Sequence, residues 1–126
     1  MLKNSFYLPA QIITTSSADQ PVILTTTLRL IPAHPVYDGH FPGNPVVPGV
    51  CQIQMIREIM EEWTGLSLKL TTADTIKFTS LINPLNTPII SFSLTIKDLP
   101  DQQWSVNATI HSPEVTFMKF RGIFGI

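Results

Sequence analysis

Short apolar, β-branched stretches make up most of this chain, some of them alternating with polar residues, and one segment alone takes the three-to-four spacing of a helix. Residues 6–15 and 22–31 are rich in β-branched side chains and read as strands, parted by the polar turn Ser16-Ser17-Ala18-Asp19-Gln20-Pro21. A loop dense in Pro and Gly follows over 32–47. Pro48 then opens a predicted helix over roughly 48–63, at a place where its missing N–H leaves no intrahelical bond unmade. Val50, Ile53, Ile56, Met60 and Trp63 recur at helical spacing, and Gly65 is the expected stop. Met55 and Ile59 fall off that stripe, so the helix is expected to be covered on more than one side. Beyond it, strands are predicted over about 66–82, 88–98, 102–111 and 114–125. Alternation is clearest in Ile90, Phe92, Leu94 and Ile96, and again in Val106, Ala108 and Ile110. Strands, one long helix and more strands predict an α+β layout, with an antiparallel sheet wrapped around the helix.

Composition narrows the setting. With 126 residues the chain is expected to form one domain, 1–126, able to bury a core without disulfide or metal. Only 13% of it is charged, against roughly 25% in an average globular chain, while 44% is hydrophobic. A small domain so poor in charge is expected to hide surface against a second subunit. The net charge of −1 and the scattered Lys and Arg speak against nucleic acid, whose phosphates demand concentrated positive charge. The start lacks the apolar run of a signal peptide, and no run of 18 apolar residues occurs, so a cytoplasmic protein without a membrane span is expected. The lone Cys51 fits a reducing compartment.

The chemistry concentrates in the loop and the start of the helix. A helix N-terminus presents unpaired N–H groups and partial positive charge, and Gly49 has no side chain to keep a ligand oxygen from its N–H. A thioester carbonyl held there would be polarised, which acidifies the hydrogen on the neighbouring carbon. His40, in the preceding loop, titrates near neutrality and is the candidate to remove that hydrogen. Gly39-His40-Phe41-Pro42-Gly43, Pro45-Val46 and Pro48-Gly49-Val50 together resemble the FabA/FabZ-type 3-hydroxyacyl-[acyl-carrier-protein] dehydratases and the related dehydratase-like proteins of aryl-polyene-type synthesis. The resemblance implies a hot-dog fold with no cofactor or metal, in a dimer whose sites are shared between protomers. It also implies His40 as base, Gly49 as oxyanion donor, and a Val46 carbonyl that orients the imidazole. Tyr37, Phe41, Pro48 and Val50 are expected to line an acyl pocket.

One position departs from the family. The fourteenth residue after His40, where the dehydratases carry the acid that protonates the leaving hydroxyl, is Gln54. An amide hydrogen-bonds a hydroxyl but delivers no proton near neutrality. Glu58 stands four residues on, on the same helix face, so the carboxylate and amide of the family run are exchanged. Glu58 is either a displaced acid or a solvated or ion-paired helix residue, and Arg57 is a partner for Glu58's neighbours or for a substrate carboxylate. Dehydration of a (3R)-hydroxyacyl thioester to the trans-2-enoyl product, in fatty-acid or polyene-type synthesis, is the first expectation. Two others remain open: a non-catalytic acyl-binding subunit of a heterodimeric dehydratase, and an acyl thioesterase with Glu58 activating water. The acyl group would arrive on acyl carrier protein or coenzyme A, and Lys77, Lys97, Lys119 or Arg121 would meet an acidic carrier. His34, Asp38 and His40 mimic a metal-ligand set without fixed geometry, Cys51 reads as an inert buried thiol, and His111 as a surface residue.

Overall fold

Proline at position 48 sets the start of the helix. It stands in extended conformation (φ −61°, ψ 145°) as the N-cap of α1, Gly49–Thr64, and its carbonyl accepts from the N–H groups of Cys51 at 3.0 Å and Gln52 at 3.1 Å. Gly65 ends the helix in the left-handed region (φ 73°), which a residue with a Cβ seldom adopts, and donates its N–H to the Glu61 carbonyl at 2.8 Å. The computed structural model describes residues 2–9, 11–15, 20–38 and 43–126.

Against α1 lies one antiparallel sheet. Its strands are β1 (Tyr7–Pro9), β2 (Ile13–Thr15), β3 (Val22–Leu30), β4 (Lys69–Phe78), β5 (Ile89–Leu99), β6 (Gln103–His111) and β7 (Thr116–Gly125). The spatial order is β1-β3-β5-β6-β7-β4, with β2 also paired to β3. The alternating residues Ile90, Phe92, Leu94 and Ile96 of β5 and Val106, Ala108 and Ile110 of β6 all face the core. Met55, Ile56, Ile59 and Met60 of the helix pack into the same core.

Three expectations shift. The strand predicted over 6–15 is two short strands on the same edge of β3. Pro9 faces Leu28 and Ile13 faces Thr25, so four steps on one side match three on the other and the two registers are offset by one residue. Pro9, which cannot donate to a ladder, ends the first of them. The predicted strand 66–82 is confined to 69–78. The buried helix face is also turned from the predicted stripe. It runs through Cys51, Gln52, Met55, Ile56, Ile59 and Met60, while Val50 is 76% exposed. Sorting by residue type admitted Val50 to the stripe and kept Gln52 and Glu58 out of it, although both of these are buried.

The strand after the helix is unusual. All of β4 except Leu70 is exposed, and it pairs on one side alone, with β7. The β4–β7 ladder carries two register shifts, and Gly122 of β7 lies opposite Ala73 between them. A Cβ on Gly122 would stand 2.6 Å from the Thr72 carbonyl oxygen and 2.7 Å from Phe120 Cζ. Gly122→Ala is therefore expected to destabilise the fold by about 1–3 kcal/mol, the usual range for overpacking. A thermal melt should show the loss, and an unchanged melting temperature would mean that β4 moves aside freely.

Candidate functional site

The backbone leading into α1 is tied from both sides. Val47 donates its N–H to the Ile82 carbonyl at 2.9 Å, and its own carbonyl accepts from Gln52 Nε2 at 3.3 Å. Pro48 brings no side-chain cap, and although its carbonyl takes up the Cys51 N–H, the N–H groups of Gly49 and Val50 have no acceptor among the described residues. A cleft of about 320 Å³ opens at this point, bounded by Val46, Val47, Pro48, Gly49 and Gln52, by Phe78 at the end of β4, and by Ser80 and Leu81 beyond it. The Phe78 ring lies so close over Gly49 that a Cβ there would be 2.6 Å from its Cζ. The cleft thus combines an apolar wall with backbone donors at Gly49 and Val50 that have no acceptor among the described residues. Gly39, His40, Phe41 and Pro42 lie outside the described residues.

The other candidates are dispersed. Val46 and Pro48 line the cleft with Gly49. Val50 points to solvent from the single chain. Tyr37 is buried in the core, its ring stacked on Phe6 with centroids 5.6 Å apart. Burial raises its phenol well above the ordinary value, and its hydroxyl has no partner among the described residues.

Glu58 is 5% exposed, and four donor groups converge on its carboxylate. Leu2 N–H reaches both oxygens at 3.1 and 2.9 Å, Lys3 N–H reaches Oε1 at 2.9 Å, and the Tyr7 hydroxyl reaches Oε1 at 3.1 Å. The fourth is Gln54, whose Nε2 donates to Oε2 at 2.9 Å. Burial alone would push the Glu58 pKa up. The bonds from Leu2, Gln54, Lys3 and Tyr7 outweigh it, and the carboxyl is held below the ordinary glutamate value. Tyr7 is raised in turn, by burial first and then by the Glu58 charge. This pair lies away from the Gly49 cleft of its own chain. Glu58 instead walls a larger cavity of about 430 Å³ between the N-terminal strands and the second half of α1, beside Tyr7, Ile59 and Trp63. That cavity is bigger, but no first-turn amide opens into it, so the smaller one is the better seat for a carbonyl.

Other polar residues have local duties. Arg57 Nε lies 3.6 Å from Glu61 Oε2, one turn on, rather than beside Glu58. His34 Nδ1 accepts from Val36 N–H at 3.1 Å, and its ring meets Phe6 edge-on. Among the described residues no His, Cys, Asp and Glu side chains gather in a metal-binding group. Cys51 is buried, and burial raises its thiol pKa. His111, expected at the surface, is half-buried, with Nε2 3.1 Å from Ser93 Oγ on the neighbouring strand. Lys77 and Lys119 face each other across β4 and β7, with Arg121 two residues further along β7, while Lys97 sits apart on β5. Two participants had no signal in the sequence reading. Tyr7 meets Glu58 across 51 residues, and Gln52 showed itself only as a polar residue among buried helix neighbours.

A family model for ApeI-like proteins, described as ApeI dehydratase, matches residues 15–121. The chain belongs to the ApeI-like dehydratase family. It is 29% identical over 79 residues to the 3-hydroxyacyl-[acyl-carrier-protein] dehydratase FabZ of Oenococcus oeni, a match covering 57% of this chain and 55% of that one. The chain spans about half the length of the curated relatives it matches. An uncharacterised protein from Erwinia carotovora subsp. atroseptica superposes with a TM-score of 0.63 at 19% identity, over 94% of each chain. The dehydratase heterocomplex ApeI:P from Xenorhabdus doucetiae matches with the same TM-score at 16% identity, over 93% of this chain and 100% of that one. One helix against a large antiparallel sheet is thus the hot-dog fold, as the loop motif of this ApeI-like member implied. No helix among the described residues is long and apolar enough to cross a membrane.

Proposed function

We propose that the protein binds a 3-hydroxyacyl thioester in the Gly49 cleft and takes part in its dehydration as one half of a two-subunit site, the proton donor coming from a related protomer. One observation carries this reading: Glu58, the carboxyl nearest the family's acid position, is held ionised by four donor groups. A donor of protons must hold one at working pH, and this group is stabilised without it. Gln54 has none to give, and its N–H is engaged by Glu58.

In the proposed chemistry, His40 removes the hydrogen on the carbon next to the thioester carbonyl, steadied by the Val46 carbonyl. Negative charge moves onto the carbonyl oxygen, where Gly49 N–H donates; one such fixed donor contributes about 3 kcal/mol. The bond to the 3-hydroxyl then breaks as an acid protonates the departing oxygen, leaving water and the trans-2-enoyl thioester. That acid is the missing group. A homodimer would place Gln54 at both sites and complete neither, whereas a hot-dog partner with a carboxylic acid at that position completes one. The exposed β4 edge suits such a partner. Phe78 and Leu81 at the cleft are 49% and 74% exposed, as is Val50 at 76% on the helix beside it, and an edge strand that pairs on one side alone offers a free row of backbone groups to a partner. The likeness to the dehydratase heterocomplex ApeI:P supports a pairing with a second protein. Lys77 and Lys119 stand directly opposite one another, an unfavourable pairing of like charge that an acidic carrier protein would relieve.

Incubation of the purified chain with a short 3-hydroxyacyl thioester tests the reading. Saturable binding is expected, with neither enoyl absorbance nor free thiol above background. Enoyl formation by this chain alone would remove the need for a second subunit, free thiol would point to hydrolysis, and absence of binding would overturn the proposal altogether.

A further inference from the structure

Gln52 is the feature of the cleft that the chemistry above leaves unused. It is 3% exposed, yet it carries two polar groups, and one of them satisfies the protein while the other does not. Nε2 donates to the Val47 carbonyl at 3.3 Å, whereas Oε1 has no hydrogen-bond partner among the described residues. Turning the carboxamide over gives no relief. It would set two oxygens against each other at Val47 and leave the NH₂ unpaired, so the orientation with Oε1 open is the better one. A buried acceptor without a donor is costly and seldom left so in a native protein. The open acceptor belongs to a side chain that forms part of the wall of the Gly49 cleft.

The placement of the two groups suits the ligand proposed for that cleft. Residues 49 and 52 are three apart on α1, so they share one helix face with side-chain positions roughly 5–6 Å apart, and both border the cleft. In a 3-hydroxyacyl thioester the hydroxyl is two carbons from the carbonyl, so one molecule can accept from Gly49 N–H and donate from its hydroxyl to Oε1. Resting on the thioester-binding reading, we infer that Gln52 is a substrate-binding residue whose Oε1 accepts the hydrogen bond of the 3-hydroxyl, so that the cleft selects 3-hydroxyacyl thioesters over acyl thioesters without that group. The bond uses the hydroxyl hydrogen and leaves the oxygen lone pairs open to an acid from the partner. It also disfavours the enoyl product, which has no hydroxyl to offer and would leave Oε1 unpaired again. The same acceptor therefore holds the substrate and releases the product.

Two ligands separate the possibilities: (R)-3-hydroxybutyryl- and butyryl-N-acetylcysteamine thioesters, titrated calorimetrically into the full chain. Wild type is expected to bind the hydroxylated ligand about tenfold more tightly or better, the discrimination that a buried acceptor imposes on a ligand lacking its donor. Gln52→Leu should bring the ratio close to one without weakening the butyryl ligand. Gln52→Met, which keeps an unbranched side chain of similar length, should do the same if the leucine variant fails to fold. Equal binding of the two ligands by wild type would overturn the role of Gln52 while thioester binding stood. An equal loss of both ligands in the variants would also overturn it, since that is the mark of a residue acting only through the Val47 turn or on the N–H of the thioester arm, which both ligands share. Failure of wild type to bind either ligand would remove the thioester reading and this one with it.

Discussion

Exchanging the pair on the helix, Gln54→Glu together with Glu58→Gln, is expected to raise dehydration by this chain alone by about 10²–10⁴-fold, the usual contribution of a positioned general acid. The reason lies in what each position touches. At 58 a carboxylate receives Leu2 and Lys3 N–H, the Tyr7 hydroxyl and Gln54 Nε2, and is stabilised as an anion. At 54 the side chain is half-buried and has one described partner, Glu58 itself. A carboxyl moved to 54 would lose the two backbone donors and the phenol that depress its pKa, and would keep a single bond from the amide introduced at position 58. Its pKa should then move up towards a useful value. The double variant also retains the hydrogen bond between 54 and 58 with donor and acceptor reversed. Gln54→Glu alone keeps Glu58 and sets two carboxylates one turn apart, so it should gain activity with a loss of stability. Adding His40→Ala to the double variant should return the rate to background, because the base is then gone. A folded double variant that binds the thioester and forms no enoyl would sink the idea that the missing acid is what separates this chain from an independent dehydratase.

The family and the helix boundaries were legible in the sequence, and the surroundings of the candidate site much less so. Helix start and stop could be read because Pro48 and Gly65 act locally, through a missing N–H and a left-handed backbone. The central strands were equally readable, since β5 and β6 lie in the middle of the sheet and bury every second residue. The edges were not. β1 and β2 look like one strand in sequence because the one-residue offset between their registers leaves the β-branched pattern intact. β4 has almost no buried face in the single chain, so its pattern of Thr, Asp and Lys carried no information on where it ends. Glu58 shows the larger limit. Whether a helical glutamate is solvated, ion-paired or clamped depends on partners far away in the chain, and here they are the N–H groups of residues 55 and 56 positions earlier. No helical period could reveal that. Gln52 was hidden for a related reason, since a polar residue on a buried face gains its meaning from the carbonyl it binds and from the atom it leaves open.

The clamp on Glu58 should make the protein acid-labile at its N-terminal end. The Glu58 carboxyl is held below its ordinary value near 4.5, while in the unfolded chain it returns to that value. Between the two values the unfolded state binds more protons, so stability rises with pH there. The contribution is therefore complete above about pH 4.5 and is lost as pH falls through the lower folded value. Protonation would put a hydrogen on an oxygen that already accepts from Leu2, Lys3 or Tyr7, and at least one buried donor would lose its acceptor. Replacing the carboxyl altogether should cost more. Glu58→Leu leaves the Tyr7 hydroxyl and two backbone N–H groups without their charged acceptor, and hydrogen bonds to charged groups are worth about 1.5–3 kcal/mol each. Their sum is not reached, because residues 2–9 can detach and find water, so a loss of about 3 kcal/mol is expected. Hydrogen exchange at pH 7 should then show β1 amides losing protection while those of β5 and β6 keep most of theirs. Denaturant titrations from pH 7 down to 3 should show a steeper fall in wild type than in Glu58→Gln, which has no carboxyl to protonate. Parallel curves for the two proteins would mean that another group governs the acid limb and that the Glu58 clamp contributes little to holding the N-terminal strand.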